Sequence, residues 1–251
     1  EIIVIDNDSC LPETHDFLAE IERENIRVIP YQGAFNFSAM NNHAATHAKG
    51  DVLCLMNNDI EVVEQNWLRN MIRELYRPGV GVVGAKLLWP NQHVQHGGVL
   101  LGLHGLAGHI GTHWHKNDDG YFGLNQRART VSAVTAACLV CFTHDYWSVG
   151  GLNEVDLAVN FNDVDLCLKI NYQLGKRSVW TPKACLMHHE SASRGLTINP
   201  SKQSQLHKEM TYMLSNWHDL LIDPYDNPNL SLDRFSHQAL AFPPRNILPK
   251  N

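Results

Sequence analysis

Val52-Leu53-Cys54-Leu55-Met56-Asn57-Asn58-Asp59 is the stretch whose reading decides the fold class. Five consecutive apolar residues are too few for a buried helix, and they stand between Lys49-Gly50 and a polar triplet. A short apolar run with such borders reads as a strand covered on both faces, which places it inside a sheet flanked by helices. The residues around it fit that reading. Asn36 to Ala48 is alanine-rich and reads as a helix stopped by Lys49-Gly50, and Trp67 to Tyr76 reads as an amphipathic helix ended by Pro78-Gly79. Val80 to Leu87 returns as a strand. Further back, Ile2–Ile5 reads as a strand, Glu13 to Glu24 as a helix carrying Phe17, Leu18 and Ile21 at helical spacing, and Arg27–Pro30 as a strand. Strands alternating with helices predict an α/β fold, with a mostly parallel sheet and ligands at its carboxyl edge.

Beyond Pro90 the pattern is less regular. His93 to Val99 reads as a strand or hairpin, and Leu103 to Arg129, rich in glycine and histidine, as a long mobile loop. Val131–Phe142 is expected as a central strand and Val164 to Leu174 as a helix stopped by Gly175. Val179 to Met187 reads as a strand interrupted by Pro182, and Gln203 to Leu220 as a long helix. Residues 223–251, with Pro224, Pro228, Pro243 and Pro244, read as an extended arm or linker.

The chain has 251 residues, 44% of them hydrophobic and 18% charged, which is the composition of an ordinary globular protein. Its formal net charge of -6 argues against a nucleic-acid partner, which calls for a basic face. The longest apolar run suits a buried strand rather than a membrane span. Because Glu1-Ile2-Ile3-Val4-Ile5-Asp6 opens directly on a strand, a preceding strand and helix are expected to be missing. The six cysteines are scattered. The Cys138-x-x-Cys141 pair lies in an apolar stretch and reads as buried reduced thiols, which points to the cytoplasm.

Four polar segments could carry chemistry. In Asn57-Asn58-Asp59, a carboxylate at a strand's end could reach a divalent cation that binds a pyrophosphate, although the triplet also suits a plain turn. Asn162-Asp163-Val164-Asp165 could supply a general base, or could simply cap a helix. Asp163 and Asp165 are two positions apart and cannot share one helix face, so at most one is expected to be catalytic. His188-His189-Glu190-Ser191-Ala192-Ser193-Arg194-Gly195 offers imidazole for a metal and an arginine with hydroxyls for phosphate; a surface turn is the alternative. Asp6-Asn7-Asp8-Ser9 could accept from a base or ribose, or form only a turn. His104, His109, His113 and His115 read as solvated loop residues.

In order along the chain, these segments resemble the family 2 glycosyltransferases of the GT-A fold. The residues that carry the likeness are EIIVIDNDS at 1–9, FNFSAMNNHAATHAKGDVLCLMNND at 35–59 and VGVVGAKLLWPNQHVQHGGV at 80–99. They continue with VTAACLVCF at 134–142, VGGLNE at 149–154, FNDVDLCLKI at 161–170 and HHESASRG at 188–195. The nearest likeness is to bacterial enzymes that build O-antigen, rhamnan and other cell-surface polysaccharides. The resemblance implies a GT-A domain over 1–222, with a nucleotide-binding half at 1–98 and an acceptor half at 99–222. It implies an inverting transfer from a nucleoside diphosphate sugar, UDP- or dTDP-linked, to a glycan or lipid-linked acceptor. Hexosyl or deoxyhexosyl groups, rhamnosyl among them, fall within it. Asp163 would be the general base, and Asp59 and His188 would hold Mn²⁺ or Mg²⁺, with Asn57 and His189 as fallbacks. Asp6, Asp8, Asn42, Asn58, Ser193 and Arg194 would bind the donor. Asn57 and Asn162 stand where the family usually has Asp and Glu. A sugar nucleotidyltransferase and a catalytically degenerate binding module are the alternatives. Peripheral attachment at the inner face of a membrane would have to come through other segments.

Overall fold

The computed structural model describes residues 1–112, 114–189, 200–218, 222–233 and 239–245. The chain begins with β1 (Ile2–Asp6), α1 (Pro12–Ile21) and β2 (Ile26–Pro30), then α2 (Phe37–His47), β3 (Val52–Met56) and β4 (Ile60–Val62). Next come α3 (Trp67–Leu75), β5 (Val80–Leu88), β6 (Val94–His96), β7 (Val99–Leu101), β8 (Ala107–His109) and β9 (Arg129–Val131). The remainder is β10 (Cys138–Phe142), α4 (Thr143–Ser148), α5 (Asn162–Leu174), β11 (Arg177–His188) and α6 (Pro200–Asn216).

The decisive strand is where the sequence placed it, and the α/β class holds, but the pairing is mixed rather than mostly parallel. The central path runs β3-β10-β5-β11-β4, with β6 added to β5 and β9 to β11. Of its pairs only β5–β11 is parallel; β1–β2, a separate two-stranded sheet, is parallel too. Helical crossovers predict parallel neighbours only while strand and helix alternate. Here β10 leads into α4 and α5 before β11, and short returns such as β4 and β6 pair antiparallel.

Helices cover both faces. α3 packs Met71 and Leu75 against Val83, Ala85, Val140 and Leu186 on one side. On the other side α5 buries Val164, Leu166, Cys167, Leu168 and Ile170 with Val82, Leu139 and Trp180. Each such side chain contributes roughly 1.5–3 kcal/mol of burial. Close approach depends on glycine: a Cβ at Gly84 would stand 2.4 Å from Val134 Cβ, and one at Gly81 2.5 Å from Ile170 Cγ2. α2 starts on Asn36, whose side chain accepts from Ala39 N, and α5 ends on Gly175 in the left-handed conformation.

Two expected elements differ. Residues 131–142 are not one strand; β9 ends at Val131 and β10 starts at Cys138. Between them, main-chain N–H groups turn to side chains, Thr135 N donating to His96 Nε2 and Ala136 N to Asp163 Oδ2. The expected mobile loop at 103–129 is tied down where described. Leu103, Ile110 and Trp114 are core, and the buried Lys86 donates to the carbonyls of Lys116 and Asn125. Leaving those carbonyls or the ammonium unpaired in the interior would cost about 1–3 kcal/mol each, which holds the segment in place.

Past α6, Asp223 is buried and accepts from Leu101 N and Tyr225 N, and Leu230 bridges to Leu240. At the other end, β1 pairs only with β2 and β3 only with β10 among the described residues, so each keeps one open edge. Apolar groups lie exposed nearby: Ile2 on β1, Phe17 on α1, which has no buried residue, and Met56 on β3.

Candidate active site

β4 builds the centre of the site. After Asn57-Asn58-Asp59 the chain reverses and pairs antiparallel with the end of β11, Ile60 facing His188. His189 N donates to Asp59 O, which closes the ladder. This register brings Asp59 Oδ1 to 3.0 Å from His188 Nε2, with both side chains largely buried. Among the described residues Asp59 Oδ1 makes no hydrogen bond beyond this contact. Asn57 is fixed by its main chain, its N donating to Ala137 O, while its side-chain Nδ2 lies 3.2 Å from the same His188 Nε2.

Behind His188 stands a polar layer from β6. Gln95 Oε1 accepts from His188 Nδ1 at 2.7 Å, and the Gln95 carbonyl meets His109 Nδ1 at 3.1 Å. His96 is fully buried, packs edge-on against His109 and is held neutral, its pKa pushed well below the usual imidazole value by burial. His109 is therefore a half-buried partner of this layer, not a solvated loop residue as its surroundings in the sequence suggested.

Asp163 approaches from the other side of the 135–137 turn. That turn takes Asp163 Oδ2 on Ala136 N (3.1 Å) and holds Asn57 through Ala137 O (3.0 Å). Asp163 Oδ1 accepts from the adjacent Val164 N. Neither aspartate is the N-cap of α5. That place is taken by Phe161 in the left-handed region, φ 59°, with no side-chain cap. Asp165 is buried and bonded to Trp217 Nε1 and Lys169 Nζ, which makes it a structural anchor. Asn162, buried, donates to the carbonyls of Leu157 and Val159. The 157–162 segment is held further by Ser38, bonded to Leu157 O, and by Glu209 of α6. Glu209 takes Val159 N, Asn160 N and Asn160 Nδ2.

The other expected residues divide. Asp6 accepts from Ser9 N, and Asp8, at φ 51°, accepts weakly from Gly33 N; both sit at the carboxyl end of β1 on a polar turn. Asn58 is exposed at the tip of the turn before β4. Asn42 does not open onto this centre. Its Oδ1 takes Leu152 N and Tyr146 Oη, and its Nδ2 donates to Leu152 O and Glu154. Gly151 permits that junction, since a Cβ there would lie 2.6 Å from Asn42 Oδ1. His189 is exposed and paired with Glu61, away from His188 Nε2. Ser193, Arg194 and His113 lie outside the described residues. Gln95 and Glu209 were not anticipated. Gln95 gave no signal beyond its place in the stretch His93 to Val99 that reads as a strand or hairpin; Glu209 gave none beyond a lone acid on a helix.

A divalent cation fits this centre. A buried carboxylate oxygen stands next to an imidazole nitrogen, and among the described residues no lysine or arginine pairs with it. Among the described residues no group of three or more His, Cys, Asp or Glu converges, so a cation here would draw its other ligands from phosphate and water. Asp163 is well placed as a proton acceptor: each carboxylate oxygen is oriented by one main-chain N–H and keeps a further lone pair.

A mixed sheet between helices, with an acid-histidine pair at the strand ends and a second acid at a helix start, defines a GT-A glycosyltransferase domain. The family model Glycosyl transferase family 2 matches residues 1–139, more than half of the chain, and the chain belongs to that family. It is 44% identical over 238 residues to the uncharacterised protein y4gI of Sinorhizobium fredii, covering 93% of this chain and 26% of that protein. It is 37% identical over 240 residues to the O-antigen biosynthesis protein RfbC of Myxococcus xanthus, covering 92% of this chain and 18% of that protein. The chain thus spans about a quarter or less of these relatives. In three dimensions it resembles GalNAc-T7, solved with UDP, GalNAc and Mn²⁺, at TM-score 0.66 and 13% identity over 87% of this chain and 42% of that one. It also resembles the mannosyltransferase PcManGT of Pyrobaculum calidifontis, solved with GDP-Man and Mn²⁺, at TM-score 0.54 and 15% identity, covering 85% and 60%.

Proposed function

We propose that this domain transfers a sugar, with inversion, from a nucleoside diphosphate sugar to a glycan or lipid-linked acceptor in the assembly of a cell-surface polysaccharide. The observation that carries the reading is the buried Asp59 Oδ1 at 3.0 Å from His188 Nε2, otherwise without a hydrogen bond among the described residues, with Asp163 across the 135–137 turn. The relative named for O-antigen biosynthesis supports the polysaccharide role, and the nucleotides and Mn²⁺ in the two solved structures support the donor class and the metal.

Asp59 and His188 would hold Mn²⁺ or Mg²⁺. When bound, that cation offsets the charge developing on the leaving diphosphate. Asp163, oriented by Ala136 N and Val164 N, takes the proton of the acceptor hydroxyl as its oxygen attacks the anomeric carbon. The bond to the diphosphate breaks on the opposite face, so no covalent enzyme intermediate is required. Asp6 and Asp8, at the end of β1, would accept from the base or ribose, and Ser193 and Arg194 would meet the donor phosphates. Deoxyhexose donors such as dTDP-rhamnose belong to the range to be assayed beside UDP-sugars. The reading puts the reaction in the cytoplasm, at or near the inner face of the plasma membrane, with any membrane attachment supplied by other segments.

The test is donor turnover in Asp163→Asn and Asp59→Ala, read as nucleoside diphosphate release. Asp163→Asn should lose at least about a hundredfold in kcat, the scale of a general base, and Asp59→Ala should lose metal-dependent turnover. Wild-type rates in either variant would remove that residue's role. Release of pyrophosphate instead would point to a nucleotidyltransferase.

A further inference from the structure

We infer that Gln95 is a positioning residue that locks His188 in the tautomer carrying its proton on Nδ1, so that the Nε2 lone pair points to the cation site beside Asp59. This rests on the reading of Asp59 and His188 as the metal pair.

Three observations converge on it. The first is the backbone. β5 and β6 pair with Leu87 opposite His96 and Leu88 opposite Val94, so two residues on β5 face three on β6. Gln95 is the residue in excess. In regular pairing it would have faced Leu88; the irregularity re-aims it, as bulges beside functional sites do. The second is the contact itself. Gln95 is buried, and its Oε1 lies 2.7 Å from His188 Nδ1. A carbonyl oxygen has no hydrogen to give, so the proton between them is on the imidazole. The third is the far side of the ring. Nε2 faces Asp59 Oδ1 at 3.0 Å and Asn57 at 3.2 Å, the two side chains that would share a cation with it. With the proton held on Nδ1 by Gln95, Nε2 is the nitrogen left to offer a lone pair to a cation beside Asp59 Oδ1.

Metal-binding histidines commonly depend on such an outer partner, and removing it typically weakens metal binding about 10–100-fold. An apolar side chain at position 95 would leave Nδ1–H buried without an acceptor. The ring could then rotate, or exchange its proton to Nε2 and close the site. Main-chain contacts near Gln95 would be unaffected, because its carbonyl, not its side chain, meets His109.

The experiment uses the 251-residue chain, uniformly labelled with nitrogen-15, at a pH well above the imidazole range. Long-range proton–nitrogen correlation reads the His188 tautomer, assigned by its loss in His188→Ala. Loss of the free-Mn²⁺ electron paramagnetic resonance signal reads binding of Mn²⁺ alone. Wild type should show Nδ1–H. Gln95→Leu should show a mixed or inverted tautomer and about 10–100-fold weaker Mn²⁺ binding, while Gln95→Glu, which keeps an acceptor, restores both. A melting temperature shared by the Glu and Leu variants separates this from loss of fold. If Gln95→Leu keeps the tautomer and the affinity while His188→Ala loses Mn²⁺, the inference is overturned and the metal pair stands. If His188→Ala binds Mn²⁺ as wild type does, the metal reading itself falls, and the inference with it.

Discussion

Asn57 is the residue at which this site departs most from a two-carboxylate metal centre. Its amide nitrogen occupies the direction of the His188 Nε2 lone pair, so a cation must displace that contact or turn the amide to present its oxygen. Asn57→Asp would remove the competing donor and add a charged ligand. Mn²⁺ affinity should then rise about tenfold, because ligand charge tunes such sites. Calorimetric titration with Mn²⁺ checks this, and unchanged or weaker binding would place Asn57 outside the coordination sphere. At this scale the sequence foretold where Asp59, His188 and Asp163 stand, at a strand or helix end. It told little about Gln95, whose importance comes from a local slip of register that no residue pattern displays. It showed nothing of the partners of Asn42, because an asparagine in a helix does not reveal where its amide will bond. Here those partners lie more than a hundred positions away.

Among the elements, α6 braces from a distance the segment that leads to Asp163, the proposed base. Glu209 is almost fully buried and satisfies two main-chain N–H groups and one amide in the 159–160 stretch, just ahead of the strained Phe161 and of Asp163. Glu209→Gln would remove the charge and set an NH₂ group against donors. The cost should be about 1–3 kcal/mol of stability, seen as a lowered melting temperature. Displacement of Asp163 should lower kcat by about ten- to a hundredfold, given the sensitivity of catalysis to small misplacements, with donor KM little changed. Equal effects on both constants would argue that Glu209 serves only the fold. The strands β3 and β5 and the helices α2, α3 and α5 were legible because each keeps a single periodicity from end to end. The 131–142 stretch was not. Its apolar residues continue through Ala133, Val134, Ala136 and Ala137, which bury themselves in a turn rather than a strand. Composition alone does not distinguish the two.

For the molecule as a whole, the order of motifs carried the class and the sheet directions did not follow from it. Alternation of strand and helix gave parallel neighbours only at β1–β2 and β5–β11; elsewhere the chain returned by short routes whose direction depends on loop geometry. The open edges of β1 and β3 have a practical result for handling the protein. Unpaired N–H and C=O groups on a strand, with Ile2, Met56 and Phe17 exposed nearby, form a template for pairing with another chain. The isolated chain should therefore be colloidally fragile. Its light scattering should rise with concentration and time, and fall when lysine replaces Met56 or Phe17. Scattering independent of concentration up to crystallisation conditions would show that these edges are protected. The same sheet that fixes the acid and the histidine within 3.0 Å of each other thus sets the ceiling on how concentrated a sample can be made.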